Sequence, residues 1–251
     1  MASNEVLDEN KLIDDLMYRV TYVTKFIEFT GEDHERILEL NELLVPLVGP
    51  ITDAVYVKNF SYDITKESFT MKQEFFEDNI NANVKTLKLD DPIIKFRKTM
   101  LSKYIKKLVT MPLDAKKIKY LDWVGEIHTD TKTKKSKINV EYIHCNALMG
   151  FVAGALLNIV QTATQEQLNI TPEKKRQAVV ALSKLLWVQN DLFVRHYIPR
   201  EDSELMIARN KRLLKKERTP PLTVLKLFGS TLGTFVVGIA ATVGALSFLS
   251  K

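Results

Sequence analysis

Histidine is the side chain best suited to bind a metal or exchange a proton near neutral pH, and this 251-residue chain has four. His34 falls in an acidic segment that we expect to be the solvated first turn of a helix. His144 begins an apolar stretch, and His196 ends a long predicted helix. Their positions distinguish these three residues from His128, which is the candidate for a functional role.

His128 continues an apolar stripe on a predicted helix, so its imidazole is expected to point inward. The other members of the stripe are Ile118, Leu121, Val124 and Gly125. A buried histidine needs a partner, because an unsatisfied ring nitrogen is costly away from water. A core hydrogen bond and a metal or haem iron are both open as that partner. No second ligand stands at zinc-like spacing, which disfavours zinc but not single-histidine ligation of haem.

An acid–base role is the third reading of this segment. Glu126 or Asp122 could act with His128 as acid and base, but the sequence shows no accompanying nucleophile, phosphate-binding loop or second carboxylate at a useful spacing. Carboxylates on this helix are better explained as a solvated face. We therefore predict that the protein is not an enzyme.

The composition is that of a globular protein, with 45% hydrophobic and 27% charged residues. The single cysteine, Cys145, cannot form an intramolecular disulfide, which fits a cytosolic setting. The net charge of +5 comes largely from lysines in 132–137 and from the basic run 211–218, and not from a face that mixes basic and aromatic residues. Nucleic acid is therefore not expected as a partner.

Apolar residues recur at spacings of three and four along most of the chain, and strand-like alternation is nearly absent. The fold class is therefore predicted to be all-α. Prolines at positions 46, 50, 92 and 112 punctuate the pattern. The predicted helices cover residues 5–28, 32–44, 47–60, 66–79, 91–109, 113–129, 139–163 and 172–197.

One predicted helix has no side suited to water. From 147 to 160 every residue except Asn158 is apolar or glycine, so this helix is expected at the centre of the domain. Gly150 and Gly154 leave a bare strip where a neighbouring helix or a flat ligand could approach. The apolar stretch itself is too short to span a membrane.

Residues 227–249 lack any charged side chain and are bounded by Lys226 and Lys251. Their length predicts a C-terminal transmembrane helix. The basic run 211–218 places the preceding domain on the cytosolic face and can attract anionic lipid. Gly229 and Gly233 form a small-xxx-small pair that would let two such helices meet in a homodimer. We expect a single-pass, tail-anchored protein of a lipid bilayer.

Three segments resemble the protoglobins, the family that includes the globin domains of globin-coupled sensors. The first, FTGEDHERIL at 29–38 continuing to DAVY at 53–56, is similar to the entry helices of the family. The second, YLDWVGEIHT at 120–129, resembles its proximal region, and the third runs from TPE at 171–173 through LWVQN at 186–190 to Tyr197. Together they cover most of residues 15–198.

This resemblance implies a globin fold with an extra N-terminal helix, a haem b and binding of a diatomic gas. The family pattern places the iron ligand on His128 and, on the gas-binding side, a hydroxyl donor on Tyr56. Pocket walls would be Phe60, Met100, Leu101 and Tyr104. Family members that sense oxygen carry an output module, for which this chain has no room.

The sequence thus predicts a globin-like domain at 1–200, a basic juxtamembrane linker at 201–221 and a transmembrane tail at 222–250. The predicted function is a membrane-tethered haem protein that binds O₂, together with CO or NO, for gas sensing or storage. The alternative is a tail-anchored helical protein-interaction module without a cofactor, in which the apolar helix would line a groove for a partner helix.

Overall fold

The computed structural model describes residues 5–70, 83–129 and 139–198, and all regular structure in these ranges is helical. The all-α prediction is confirmed for this part of the chain, whose helices belong to one unit ending at Tyr197. In chain order they are α1 Glu9–Asp14, α2 Leu16–Phe26, α3 Gly31–Leu38, α4 Asn41–Phe60, α5 Asp63–Glu67, a 3₁₀ turn Ser68–Thr70, α6 Pro92–Thr110, α7 Ala115–Glu126, α8 Tyr142–Thr162, α9 Gln165–Leu168 and α10 Pro172–Tyr197. Predictions for residues 71–79, the juxtamembrane linker and the C-terminal span lie outside the described residues.

Asp15 divides the predicted helix 5–28 into two. Its backbone is extended, with φ −100° and ψ 106°, and its carboxylate accepts the N–H groups of Met17 and Tyr18 at 2.9 and 3.0 Å. An aspartate side chain that caps a new helix start competes with continuation of the old helix. The prediction of one continuous helix at 5–28, which used helix periodicity alone, is therefore wrong at this point.

The predicted helix boundary at Pro46 is also wrong. The break falls at Glu39 and Leu40, where α3 and α4 meet at an angle of 69°, and both Pro46 and Pro50 lie inside α4. Each proline removes one backbone hydrogen bond, from the carbonyl four residues earlier. Glu42, which loses its bond to Pro46, is exposed, so water can satisfy its carbonyl. Burial of the apolar side of α4 holds the helix together despite that loss.

The centre of the unit is α10, which packs against α2, α3, α7 and α8, while α4 pairs with α6 and α8. The expectation that α8 lies at the centre, with no face toward water, is therefore wrong. Val152, Leu156 and Ile159 of α8 are buried, but Gly150 and Gly154 are exposed. Among the described helices, α8 is the one long and apolar enough by itself to cross a membrane, a property that core helices of soluble domains share.

His34 is buried, contrary to the expectation of a solvated first turn. Its side chain is 5% exposed, and neither ring nitrogen has a well-formed hydrogen bond, although the Met111 carbonyl lies near the ring. The fully buried Lys117 of α7 donates its ammonium to the same carbonyl at 3.1 Å. Burial and the Lys117 charge lower the pKa of His34 to about 4. The imidazole is therefore neutral at physiological pH.

Because of this environment, we expect His34 to reduce the stability of the folded protein in mild acid. Because the folded-state pKa is about 4, below the ordinary 6.5, the unfolded chain binds more protons between these values. Stability should fall as pH falls through this window, by at most about 1.4 kcal/mol per pH unit from this group. The free energy of unfolding, measured with urea from pH 7 to 4, should therefore fall for wild type and change less for His34→Gln. The difference between the two proteins should become smaller as the pH falls.

Titration of the Lys117 ammonium does not contribute to the stability change in this pH range. Burial lowers the pKa of its ammonium to about 8, so its own contribution changes above that pH and is constant across the acid window. His144→Gln, at a half-buried histidine of α8, controls for the loss of a histidine as such. Parallel stability curves for wild type and His34→Gln would contradict the prediction.

Candidate functional site

His128 lies in the turn that follows α7, which ends at Glu126 rather than continuing through 129 as predicted. Its Nδ1 is 2.7 Å from the carbonyl oxygen of Val124. A carbonyl oxygen can only accept, so Nδ1 carries the hydrogen, and a neutral ring then has its lone pair on Nε2. This is the tautomer and second-shell bond with which histidines ligate metals through Nε2.

The position of the imidazole is fixed by its neighbours in space. The ring is half-buried and packs on Phe193 of α10, with ring centroids 5.3 Å apart. The His128 carbonyl accepts the N–H of Val140 at 2.9 Å and the hydroxyl of Tyr197 at 3.3 Å. His128 is therefore held by the segment just before α8 and by the end of α10.

Tyr104 of α6 reaches the same region. A buried cluster of Val124, Cys145 and Phe193 adjoins His128, and Tyr104 packs against it. The Tyr104 hydroxyl is enclosed and has no hydrogen-bond partner among the described residues. Burial raises the pKa of this hydroxyl, so it is a neutral donor. An enclosed hydroxyl without a partner is costly and marks a place where a ligand could satisfy it.

Tyr56 occupies a second group, between α4 and α6. It is 5% exposed, and its ring lies 5.4 Å from Phe69, which also stacks with Phe60 at 5.9 Å. The guanidinium of Arg97, a residue 8% exposed, lies 5.1 Å from the Phe69 ring centre. Burial raises the pKa of Tyr56 and lowers that of Arg97 to about 10. At neutral pH the group therefore combines a neutral hydroxyl with a buried positive charge.

Helix α6 joins the two groups. Arg97, Leu101 and Tyr104 follow one another at spacings of four and three, so they share a face over about 10 Å of helix. Met100 and Leu101 are half-buried between them. The structure thus places Tyr104 with the surroundings of His128, and Tyr56 and Phe60 with Phe69 and Arg97.

The sequence analysis missed four residues of these groups: Phe69, Arg97, Phe193 and Tyr197 as contacts of the site. Phe193 and Tyr197 carried a signal, since the former lies on the apolar stripe of α10 and the latter ends the third matching segment. Arg97 and Phe69 carried none. An arginine is predicted to be exposed because it is charged. Phe69 lies in an isolated 3₁₀ turn, which has no periodicity to indicate burial.

The donors present suit a haem better than a cage of protein ligands. In the described ranges no three His, Cys, Asp or Glu side chains come together as a metal cluster. One imidazole is instead presented with its Nδ1 hydrogen committed to Val124 and its ring against apolar and aromatic side chains. Single-histidine ligation of a haem needs that donor set, and the partnerless Tyr104 hydroxyl agrees with it.

The arrangement of these helices is that of a globin-like, all-α domain. The chain is similar to the globin domain of the Geobacter sulfurreducens globin-coupled sensor, with a TM-score of 0.55, 19% sequence identity, and coverage of 71% of this chain and 97% of that one. The family model described as Protoglobin matches residues 16–203. The chain belongs to the Protoglobin family. A search of curated proteins found no match.

Membership confirms the predicted family and the globin-like fold, and a globin domain of this family implies haem-based binding of a diatomic gas.

Proposed function

We propose that this protein is a membrane-tethered haem protein that binds O₂, and also CO or NO, at an iron held by His128, and that it serves in gas sensing or storage rather than as an enzyme. The family match supports haem and gas binding in general. The particular ligand and pocket residues are supported by the geometry of the described site.

One observation carries the proposal: the 2.7 Å contact between His128 Nδ1 and the Val124 carbonyl. This hydrogen bond leaves the basic lone pair of the neutral ring on Nε2, and it makes Nε2 a stronger electron-pair donor to a metal ion.

Haem b, when bound, supplies the iron at which a diatomic gas is held. The residues of the chain provide the rest. His128 contributes the imidazole ligand, and Tyr56 contributes a hydroxyl that burial keeps protonated and able to donate to a polarised gas. Phe60, Met100, Leu101 and Tyr104, all half-buried, would line the pocket and limit access of water.

Replacement of His128 by alanine should abolish the Soret band that the full-length chain in detergent develops when haem is added. The physical reason is the loss of the imidazole that holds the iron. His144→Ala, which removes a half-buried histidine of α8, should titrate with haem as wild type does. A wild-type chain that retains no haem once the unbound haem has been removed would end the proposal and favour the cofactor-free interaction module.

That second candidate has one observation in its favour. Ile143 of α8 is 66% exposed and Trp187 of α10 is 65% exposed, so each helix of this pair presents a large apolar side chain to solvent. Such surface is typical of a protein contact. The haem titration separates the two candidates.

Replacement of Tyr56 by phenylalanine should accelerate release of O₂. A hydrogen bond to a charged or strongly polarised acceptor contributes about 1.5–3 kcal/mol, which corresponds to roughly a ten- to hundredfold faster dissociation. Stopped-flow displacement of O₂ by CO measures the rate. Tyr62→Phe, at a half-exposed tyrosine just beyond α4, is the matched control. An unchanged rate in Tyr56→Phe would remove Tyr56 from the role of donor.

The membrane tether is supported by the sequence alone, through the uncharged stretch 227–249 and the basic run 211–218 before it, which orients the domain to the cytosol. A homodimer is supported by Gly229 and Gly233 in the same stretch.

Introducing a charge into the middle of this stretch should detach the chain from membranes. Val237→Asp costs about 2.5–3.5 kcal/mol at the centre of a span, whereas the control Leu205→Asp lies in the predicted linker, outside the span. The fraction of chain that resists carbonate extraction should fall only in the first variant. Equal extraction of both variants would contradict the tether. The molar mass of the detergent-solubilised wild type decides whether the homodimer forms.

A further inference from the structure

The last two turns of α10 are in direct contact with the end of α7, next to His128. A Cβ added to Gly125 would lie 2.6 Å from the Leu192 carbonyl oxygen and 3.1 Å from Cα of Phe193. The backbones of the two helices therefore touch, with no room for a side chain between them. This contact lies three residues before His128.

A half-buried charge cluster holds the same two helices together. Asp122 of α7 accepts from the guanidinium of Arg195 at 2.8 Å and lies 2.9 Å from Nε2 of His196. Hydrogen bonds from His196 and Arg195 lower the pKa of Asp122 against the opposing effect of burial. The carboxylate is therefore charged, and it fixes the rotation of α7 relative to the end of α10.

Tyr197, the last residue of α10, connects this cluster to His128 itself. Its hydroxyl donates to the His128 carbonyl at 3.3 Å and lies 3.3 Å from Sγ of Cys145. Since the hydroxyl hydrogen is directed to the carbonyl, the thiol donates to the hydroxyl oxygen. Burial raises the pKa of both Tyr197 and Cys145, so both groups are neutral donors. The start of α8, the end of α10 and the His128 turn thus meet at one hydroxyl.

We infer that Tyr197, together with the Asp122 contacts to Arg195 and His196, positions the imidazole of His128 and thereby sets the strength of its bond to iron. This inference rests on the proposed function. Tyr197 and Asp122 are positioning residues, because Tyr197 bonds the His128 carbonyl and Asp122 bonds the end of α10, so that each acts on the imidazole through the backbone. Removing either contact frees the turn at 127–129 to shift, and the ring then tilts against Phe193.

The test uses the full-length chain in detergent, loaded with haem and reduced in the absence of gas. Resonance Raman spectroscopy measures the iron–histidine stretching band in wild type, Tyr197→Phe and Asp122→Asn. Both substitutions keep the size of the side chain and remove only the hydroxyl or the charge. We expect the band to shift and broaden in both variants. Weaker haem retention in these two variants alone would also support the inference, because a displaced imidazole holds the iron less well.

Two matched substitutions separate positioning from general loosening. Tyr142→Phe removes a hydroxyl that bonds Asn146 and Asn190, on a ring 5.3 Å from that of Tyr197. Asp191, which also lies on α10, forms a two-bond ion pair with Arg19 of α2, and Asp191→Asn weakens that pair. The band should stay in place in both controls, even where thermal unfolding shows an equal loss of stability.

The outcomes distinguish this inference from the proposed function. A wild-type chain that binds haem, with a band that does not move in Tyr197→Phe and Asp122→Asn, overturns the inference alone. Equal shifts in the two control variants also overturn it, because a purely structural role would explain them. A wild-type chain without haem overturns both.

Discussion

The contact of α7 with α10 at Gly125 is the constraint on which the site depends. No side chain fits between Gly125 and the Leu192 carbonyl, so the two backbones are in contact and the end of α7 cannot move without α10. That close approach brings His128 to the ring of Phe193 and to the hydroxyl of Tyr197. Asp122 adds a charged hydrogen bond to the same pair of helices. The geometry of the imidazole follows from packing between two helices, and α7 alone could not provide it.

Nearer the start of α6, on the face that also carries Tyr104, the constraint is electrostatic. Arg97 is buried beside aromatic rings and Tyr56, an arrangement that costs free energy through desolvation and is partly offset where the guanidinium lies over the Phe69 ring. A buried charge of this kind strengthens the electric field in its surroundings, because the interior screens charges less than water does. The proposed gas-binding side thus has two kinds of group, a neutral hydroxyl donor and a cation. The surroundings of His128 are apolar and aromatic.

The central position of α10 explains how the domain holds the surroundings of His128. This helix contacts α2, α3, α7 and α8, and its buried side supplies the scaffold against which α7 is placed. Helix α8 is buried on one side only, which leaves glycines and apolar side chains facing outward. Hydrophobicity around all sides of α8 therefore reflects both a core contact and a surface that the described part of the chain does not cover.

The sequence determined the helical class and the inward face of α7, because helix periodicity is a local property. The role of His128 stays a prediction from residue type and family resemblance. The resemblance to protoglobins, confirmed by the family match, came from residue order in three segments. Local pattern failed at Asp15, where a side chain caps a new helix, and at Pro46, where tertiary burial keeps a helix intact. It also left His34 in solvent and α8 at the centre. Only the tertiary structure decided that His34 is buried beside Lys117, that Arg97 lies with Tyr56, and that Tyr197 meets the His128 carbonyl. Those residues are far apart in the chain, and the packing of α10 and α6 against their neighbours brings them together.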